Sequence, residues 1–151
     1  MITGAATGIG CATALMFARN GALVVLFGLG DAELDAAAAK AGGEAVPSGR
    51  RAPISCGPHG SDSIRANAVA PGWVRTPMST YEMQLLAEQN AATANAEVRS
   101  VERRIALGRT AAPAEIAASC LFLGSDGASF ITGAVLVVDG GGRSLIHRRA
   151  I

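Results

Sequence analysis

The stretch Thr3-Gly4-Ala5-Ala6-Thr7-Gly8-Ile9-Gly10 constrains the fold more than any other part of this chain, because it follows the stub of a strand and opens an amphipathic helix. Glycines at 4, 8 and 10 let backbone come close to a ligand, and the first N–H groups of the next helix supply free donors at the positive end of its dipole. Such a turn suits the pyrophosphate of a dinucleotide. Glycines also mark ordinary tight turns, so the context decides. A helix is expected from about Ile9 to Asn20, with Ile9, Ala12, Leu15 and Met16 on its apolar side. Gly21 stops it, and the apolar run Leu23-Val24-Val25-Leu26-Phe27 follows. Strand, glycine turn, helix and strand in this order form the context that a phosphate cradle requires.

The rest of the chain reads as alternating helix and strand. Met1-Ile2 leaves almost nothing of the strand that feeds the turn, so a central strand is expected to be cropped. After Gly28-Leu29-Gly30, Asp31 is expected to cap a short helix with the apolar line Leu34, Ala37, Ala38 and Ala41, ended by Gly42-Gly43. Glu44-Ala45-Val46 begins a third strand. From Pro47 to Ser63 the composition turns to Pro, Gly, Ser and Arg without periodicity, which marks an irregular seam. Ile64 to Ala70 reads as a strand turned by Pro71-Gly72, and Ser79 with Glu82 as a capping box. Met83, Leu86, Ala87, Val98, Val101 and Ile105 form an intermittent apolar face, compatible with one long helix or two. Pro113 suits a first helical position, with Ile116, Cys120 and Leu123 facing inward and Gly124 at the end. Ala134 to Val138 is apolar on both faces, as in a parallel strand covered on both sides.

Composition narrows the function classes. The 151 residues suit one domain, 50% are hydrophobic and 17% are charged, which leaves the chain soluble only when folded. A net charge of +1 gives no electrostatic case for nucleic acid. No run is long enough to cross a bilayer, and there is no signal-peptide pattern. Cys11, Cys56 and Cys120 are an odd number, widely spread, so a disulfide framework is not expected and a reducing cytoplasm is the default. His59 near Cys56 lacks a second ligand pair, and no metal site is expected. The tail from Arg143 to Ile151, with Arg148 and Arg149, reads as a solvated end.

Four blocks together resemble the short-chain dehydrogenase/reductase family. Thr3 to Gly10 matches the TGxxxGIG turn, and Ile64 to Met78, IRANAVAPGWVRTPM, matches the segment after the family's catalytic helix. Gly108 to Leu123 and Thr132 to Gly141 match the C-terminal helix and strand. The resemblance implies an α/β fold, a shortened Rossmann-like, mostly parallel sheet with flanking helices, as a single domain over residues 1–151. It implies a nicotinamide cofactor, NAD(P), with Thr3, Gly4, Gly8, Ile9 and Gly10 at the pyrophosphate and Pro71, Gly72, Val74 and Thr76 at the nicotinamide. It also implies homo-oligomers, since the family's final helix and strand commonly build subunit interfaces.

The chain departs from the family where the chemistry is done. Members use a tyrosine acid/base, a lysine one helical turn later that lowers its pKa, and a serine that orients the substrate oxygen. Here Tyr81 is the only tyrosine, Lys40 is the only lysine, and Leu85 stands four residues after Tyr81. No catalytic residue is therefore assigned, and no nucleophile elbow or other base and nucleophile pairing replaces them. Gly28 and Leu29 stand where family members carry an acid for NAD or an arginine nearby for NADP, so the choice between the two stays open. With the adenine and nicotinamide supports reduced, cofactor binding is expected to be weak. In the family's strand order the missing strands lie between the first and the sixth, so these two either pair directly or leave a split sheet.

Overall fold

The computed structural model describes residues 1–47 and 64–142. The irregular seam from 48 onward, with Cys56 and His59, and the tail 143–151 lie outside the described residues. The elements are β1 (Ile2–Thr3), α1 (Gly8–Arg19), β2 (Val25–Gly28), α2 (Asp31–Ala41), β3 (Glu44–Pro47), β4 (Ala68–Pro71), α3 (Pro77–Gln89), α4 (Ala94–Glu102), α5 (Pro113–Gly124) and β5 (Val135–Val138), with a short 3-10 turn at Asp126–Ala128.

Among the described residues all strand pairs are parallel, and the strands fall into two sheets. β1, β2 and β3 form one sheet with β2 in the middle, and β4 pairs with β5 in another. Of the two arrangements open to the shortened chain, β1 and β4 thus take the unpaired one. Helix packing holds the halves together: α1 lies against α5, where Gly124 lets the ring of Phe17 come in, so that a Cβ there would sit 3.0 Å from the ring. The first half has its own core of Ala5, Ala14, Val24, Leu26, Leu34, Ala37 and Ala38. Leu26 and Leu34 are fully buried, each contributing on the order of 1.5–3 kcal/mol from burial. Met83, Val101 and Ile105 form a second cluster between α3 and α4, with Leu86, Ala94 and Val98 packed on it.

Local chemistry moved several boundaries. The buried face of α1 carries Thr13 and Ala14 rather than the Ile9 and Met16 side, because α1 must satisfy both its sheet and α5. Gly30, at φ 83°, precedes α2, and Asp31 is its first residue instead of its cap. Helix α3 starts two residues before Ser79, at Pro77, because its cap Thr76 precedes a proline preorganised for the first turn. The capping box pairs Thr76 with Ser79: Ser79 N–H donates to Thr76 Oγ1 at 3.2 Å, and Thr76 N–H donates to Ser79 Oγ at 3.0 Å. Two helices follow, separated where Ala91 takes a positive φ of 50° and Thr93 caps α4.

The strand expected over Ile64 to Ala70 is ordered as a ladder only from Ala68. Ahead of it the side chains take over. Asn67 Nδ2 donates to the Ile131 carbonyl at 2.8 Å, and Ala134 N–H donates to Asn67 Oδ1 at 3.1 Å. Strand β5 is covered less than its composition implies: Val135 and Val137 are 65% and 43% exposed, so one of its two apolar faces is open.

Candidate functional site

The glycine turn is fastened to β2 through Ala5 N–H, which donates to the Phe27 carbonyl at 3.0 Å. Gly4 and Gly8 take φ values of 67° and 58°, which L side chains adopt at a cost. Gly10 has a different duty. A Cβ on Gly10 would lie 2.6 Å from the Gly4 carbonyl carbon and 3.1 Å from Ala5 Cα, so the missing side chain is what lets α1 seat against its own turn.

Thr7 precedes α1 without a side-chain cap bond, and the Cys11 N–H to Thr7 carbonyl bond at 3.2 Å opens the helical ladder. The N–H groups of Gly8, Ile9 and Gly10 precede that ladder. An open cleft of about 540 Å³ lies here, lined by Thr3, Gly4, Ala6, Thr7, Gly8 and Ile9 from the turn, by Phe27, Gly28 and Leu29 from the end of β2, and by Thr76, Pro77 and Met78 from the start of α3. The turn and α3 meet closely: a Cβ on Gly8 would stand 3.2 Å from Thr76 Cγ2. None of these lining side chains is charged. The attraction this cleft offers an anion is therefore that of backbone donors and the dipole of α1.

The residues singled out from sequence divide between three places. Thr3, Gly4, Gly8, Ile9 and Thr76 line this cleft, and Gly10 stands behind it. Pro71 and Gly72 line a separate recess of about 180 Å³ beside Asp139 and Ile105. Gly72 is held there by its N–H bond to the Val138 carbonyl at 3.0 Å, and a Cβ would meet Asp139 Cα at 2.8 Å. Val74 is buried and bridges to Ala111, with Arg75 N–H donating to the Ala111 carbonyl at 2.9 Å. Thr76 is the one member of the second group that faces the turn. Its hydroxyl oxygen already accepts from Ser79 N–H, which leaves its proton to donate.

Ala6, Thr7, Phe27, Pro77 and Met78 also line the cleft and were not singled out from sequence. Thr7 and Phe27 were legible as the helix cap and the strand end that must border any such turn; Pro77 and Met78 depend on where α3 lies in space. Tyr81 is 61% exposed on α3, and Lys40 lies in the last turn of α2. Among the described residues no cluster of His, Cys, Asp and Glu could hold a metal ion. No helix among them is long and apolar enough to cross a membrane.

Comparison with known proteins agrees with this architecture. The profile of a family described as enoyl-(acyl carrier protein) reductase matches residues 48–143, well over half of the chain. Protein MoaE of Klebsiella aerogenes is 45% identical over 83 residues, which cover 55% of this chain and 32% of that protein. The 3-oxoacyl-[acyl-carrier-protein] reductase FabG of Thermotoga maritima is 44% identical over 79 residues, or 52% of this chain and 28% of that one. The aligned part thus spans about a third or less of these curated relatives. The structure of L-sorbose reductase from Gluconobacter frateurii, complexed with NADPH and L-sorbose, superposes with a TM-score of 0.78 at 18% identity, covering 99% of this chain and 96% of that one. The chain belongs to the short-chain dehydrogenase/reductase family of oxidoreductases and has its Rossmann-type α/β fold.

Proposed function

We propose that this chain binds a nicotinamide dinucleotide by its pyrophosphate in the glycine-turn cleft and that, alone, it does not transfer hydride. The observation that carries the reading is the cleft itself, where two positive-φ glycines, the uncapped start of α1 and the Thr76 hydroxyl share one open space. The residues fit the pyrophosphate well and the nicotinamide poorly, since Pro71, Gly72 and Val74 line other surfaces. The NADPH in the L-sorbose reductase structure supports the choice of ligand at the level of the fold. When bound, the cofactor supplies a hydride; the chain's own part is to hold the phosphates with backbone N–H groups and to present the Thr76 hydroxyl.

A proton donor is what the chain lacks. Tyr81 is solvent-exposed, with Leu85 in place of an activating lysine. The internal shortening that removes this machinery makes the chain a pseudoenzyme in its own right. Without an acid or a guanidinium in the cleft lining, NADH and NADPH bind with similar, weak affinity. Calorimetry with both cofactors tests this: dissociation constants weaker than about 10 µM and within about threefold of each other are expected. Low-micromolar or tighter binding of either one overturns it.

A second reading, a self-associating module, is favoured by the open apolar face of β5 and by Phe130, whose ring is fully exposed. Large exposed apolar surface on a folded chain commonly marks an interface. Sedimentation velocity at tens of micromolar, roughly, shows dimers or larger species in that reading, and a sharp monomer without dye-detected hydrophobic surface removes it.

A further inference from the structure

Two strands at the centre of the fold have one neighbour each among the described residues: β1 pairs with β2, and β4 with β5. Their open edges belong to one architecture. Helix α1 packs on β1, α5 packs on β4 and β5, and the two helices pack on each other, so a single helical layer spans both sheets. The superposition on L-sorbose reductase runs over nearly the whole chain, which gives the two halves the relative placement of an intact Rossmann fold. On β4, Ala68 N–H donates to the Ala134 carbonyl at 2.9 Å and Gly72 N–H to the Val138 carbonyl at 3.0 Å. Alternation along the ladder therefore turns the N–H and carbonyl of Val69 toward the open edge. Along β5, Leu136 and Val138 are half-buried, whereas the face that carries Val135 and Val137 is exposed. Parallel strands are ordinarily covered by helices on both faces, and an open edge is a template for an added strand.

We propose that the interval between β1 and β4 takes up a strand-helix-strand segment of a separate polypeptide. One of its strands runs parallel to β4 and pairs with the N–H and carbonyl of Val69, and its helix covers the open face of β4 and β5. The occupant is a polypeptide because a strand edge is matched by another strand's evenly spaced donors and acceptors. It is a foreign chain because every described strand of this one already stands in β1-β2-β3 or β4-β5, which leaves a second copy no such pair to lend. Length points the same way: a matched stretch that makes up 55% of this chain is 32% of Protein MoaE, so that relative carries much more polypeptide around the same elements. This surface is separate from the glycine-turn cleft, and its occupation does not rest on the dinucleotide reading.

The probe is the internal segment of the Thermotoga maritima FabG between the counterparts of β3 and β4, coexpressed with the full tagged chain and purified without cofactor. A one-to-one complex is expected, with hydrogen exchange at the Val69 amide slowed about tenfold or more relative to the chain alone. Val69→Pro removes the donor on an open edge, where proline is tolerated, and Val135→Asp places a charge on the exposed face. Each is expected to lower the affinity for the segment about tenfold, with circular dichroism verifying the fold of the variant. Should Val69→Pro unfold, Val135→Asp and the exchange of Val69 in the parent decide. Failure of the segment to co-purify, a Val69 amide as slow in the chain alone as in the mixture, or affinity unchanged in both variants overturns the proposal. Protection of Val69 that rises with the concentration of the chain alone assigns the edge to a second copy and overturns it as well.

Discussion

Arg65 reaches across the chain to Leu123: its Nη1 donates to the Leu123 carbonyl at 2.6 Å, while Nη2 donates to the Ser125 carbonyl at 3.1 Å. Both acceptors belong to the C-terminal end of α5, where carbonyls run out of helical partners and the dipole is negative. The guanidinium thus caps α5 and pins the segment before β4 to it. Arg65→Met removes the fork but keeps much of the stem, and is expected to lower unfolding free energy by about 1.5–3 kcal/mol in urea denaturation. Arg65→Lys recovers only part of this, because one ammonium cannot span both carbonyls in the same planar geometry. A loss of about 0.5 kcal/mol or less in Arg65→Met removes this capping role.

How much of this was legible in the sequence depends on distance along the chain. The turn at Gly4 to Gly10, the order of elements, and the Leu34, Ala37 and Ala38 line follow from local rules, and the structure has them. The capping of α5 by Arg65 joins residues 58 positions apart, so no local pattern announces it. The same holds for β5, whose run of apolar residues reads as two-sided burial although the split sheet leaves Val135 and Val137 open. At the site, the residues of the first group could be grouped because they are contiguous. The resemblance groups Pro71, Gly72, Val74 and Thr76 at the nicotinamide; in the structure Pro71 and Gly72 line one recess, Val74 lines another and Thr76 lines the glycine-turn cleft, a distribution that no local pattern announces.

Gly10 and Gly4 respond differently to the same substitution. A methyl group at Gly10 collides with the Gly4 carbonyl and Ala5, both backbone, so α1 or the turn must shift. At Gly4 a Cβ meets nothing within 4 Å, and only the positive φ of 67° is unfavourable. Gly10→Ala is therefore expected to cost about 2–3 kcal/mol and Gly4→Ala about 1–2 kcal/mol in the same denaturation assay. An inverted order of the two costs contradicts this account of why α1 begins with glycine.

Acid sensitivity is expected at the entrance to α5. Glu115 accepts from both guanidinium nitrogens of Arg109, at 2.7 and 2.8 Å, and from Ala112 N–H at 2.8 Å. Chiefly the Arg109 hydrogen bonds, and then that of Ala112, hold its carboxyl at about 2, below the ordinary 4.5. A carboxyl depressed on folding stabilises the fold fully above its unfolded pKa and loses that contribution as pH falls through the folded one. The window thus runs from about pH 4.5 down to about 2. Because the pair is solvent-exposed, the effect is modest and screened by salt. Glu115→Gln is expected to show a shallower fall of the thermal midpoint across this window, with the difference shrinking at high salt; parallel curves contradict it.

The reading with the widest consequence is that the chain alone does not catalyse hydride transfer between NAD(P) and a carbonyl or alcohol. A positioned acid/base contributes about 10²- to 10⁴-fold to such a reaction, and groups that act as a unit lose nearly everything together. Tyr81 is the one phenol in the chain, and its exposure and distance in sequence from Lys40 deny it that unit. At high protein and cofactor concentration, nicotinamide absorbance with a panel of ketones and alcohols is expected to change no faster than in buffer with cofactor. A substrate-dependent rate that survives repurification and vanishes in Gly8→Val overturns the reading. Gly8→Val places a branched side chain at a positive φ facing Thr76 Cγ2, so circular dichroism must first show that this variant is folded. If the rate also disappears in Tyr81→Phe, the active group is Tyr81 itself, and a site on the exposed face of α3 then replaces the one sought beside the glycine turn.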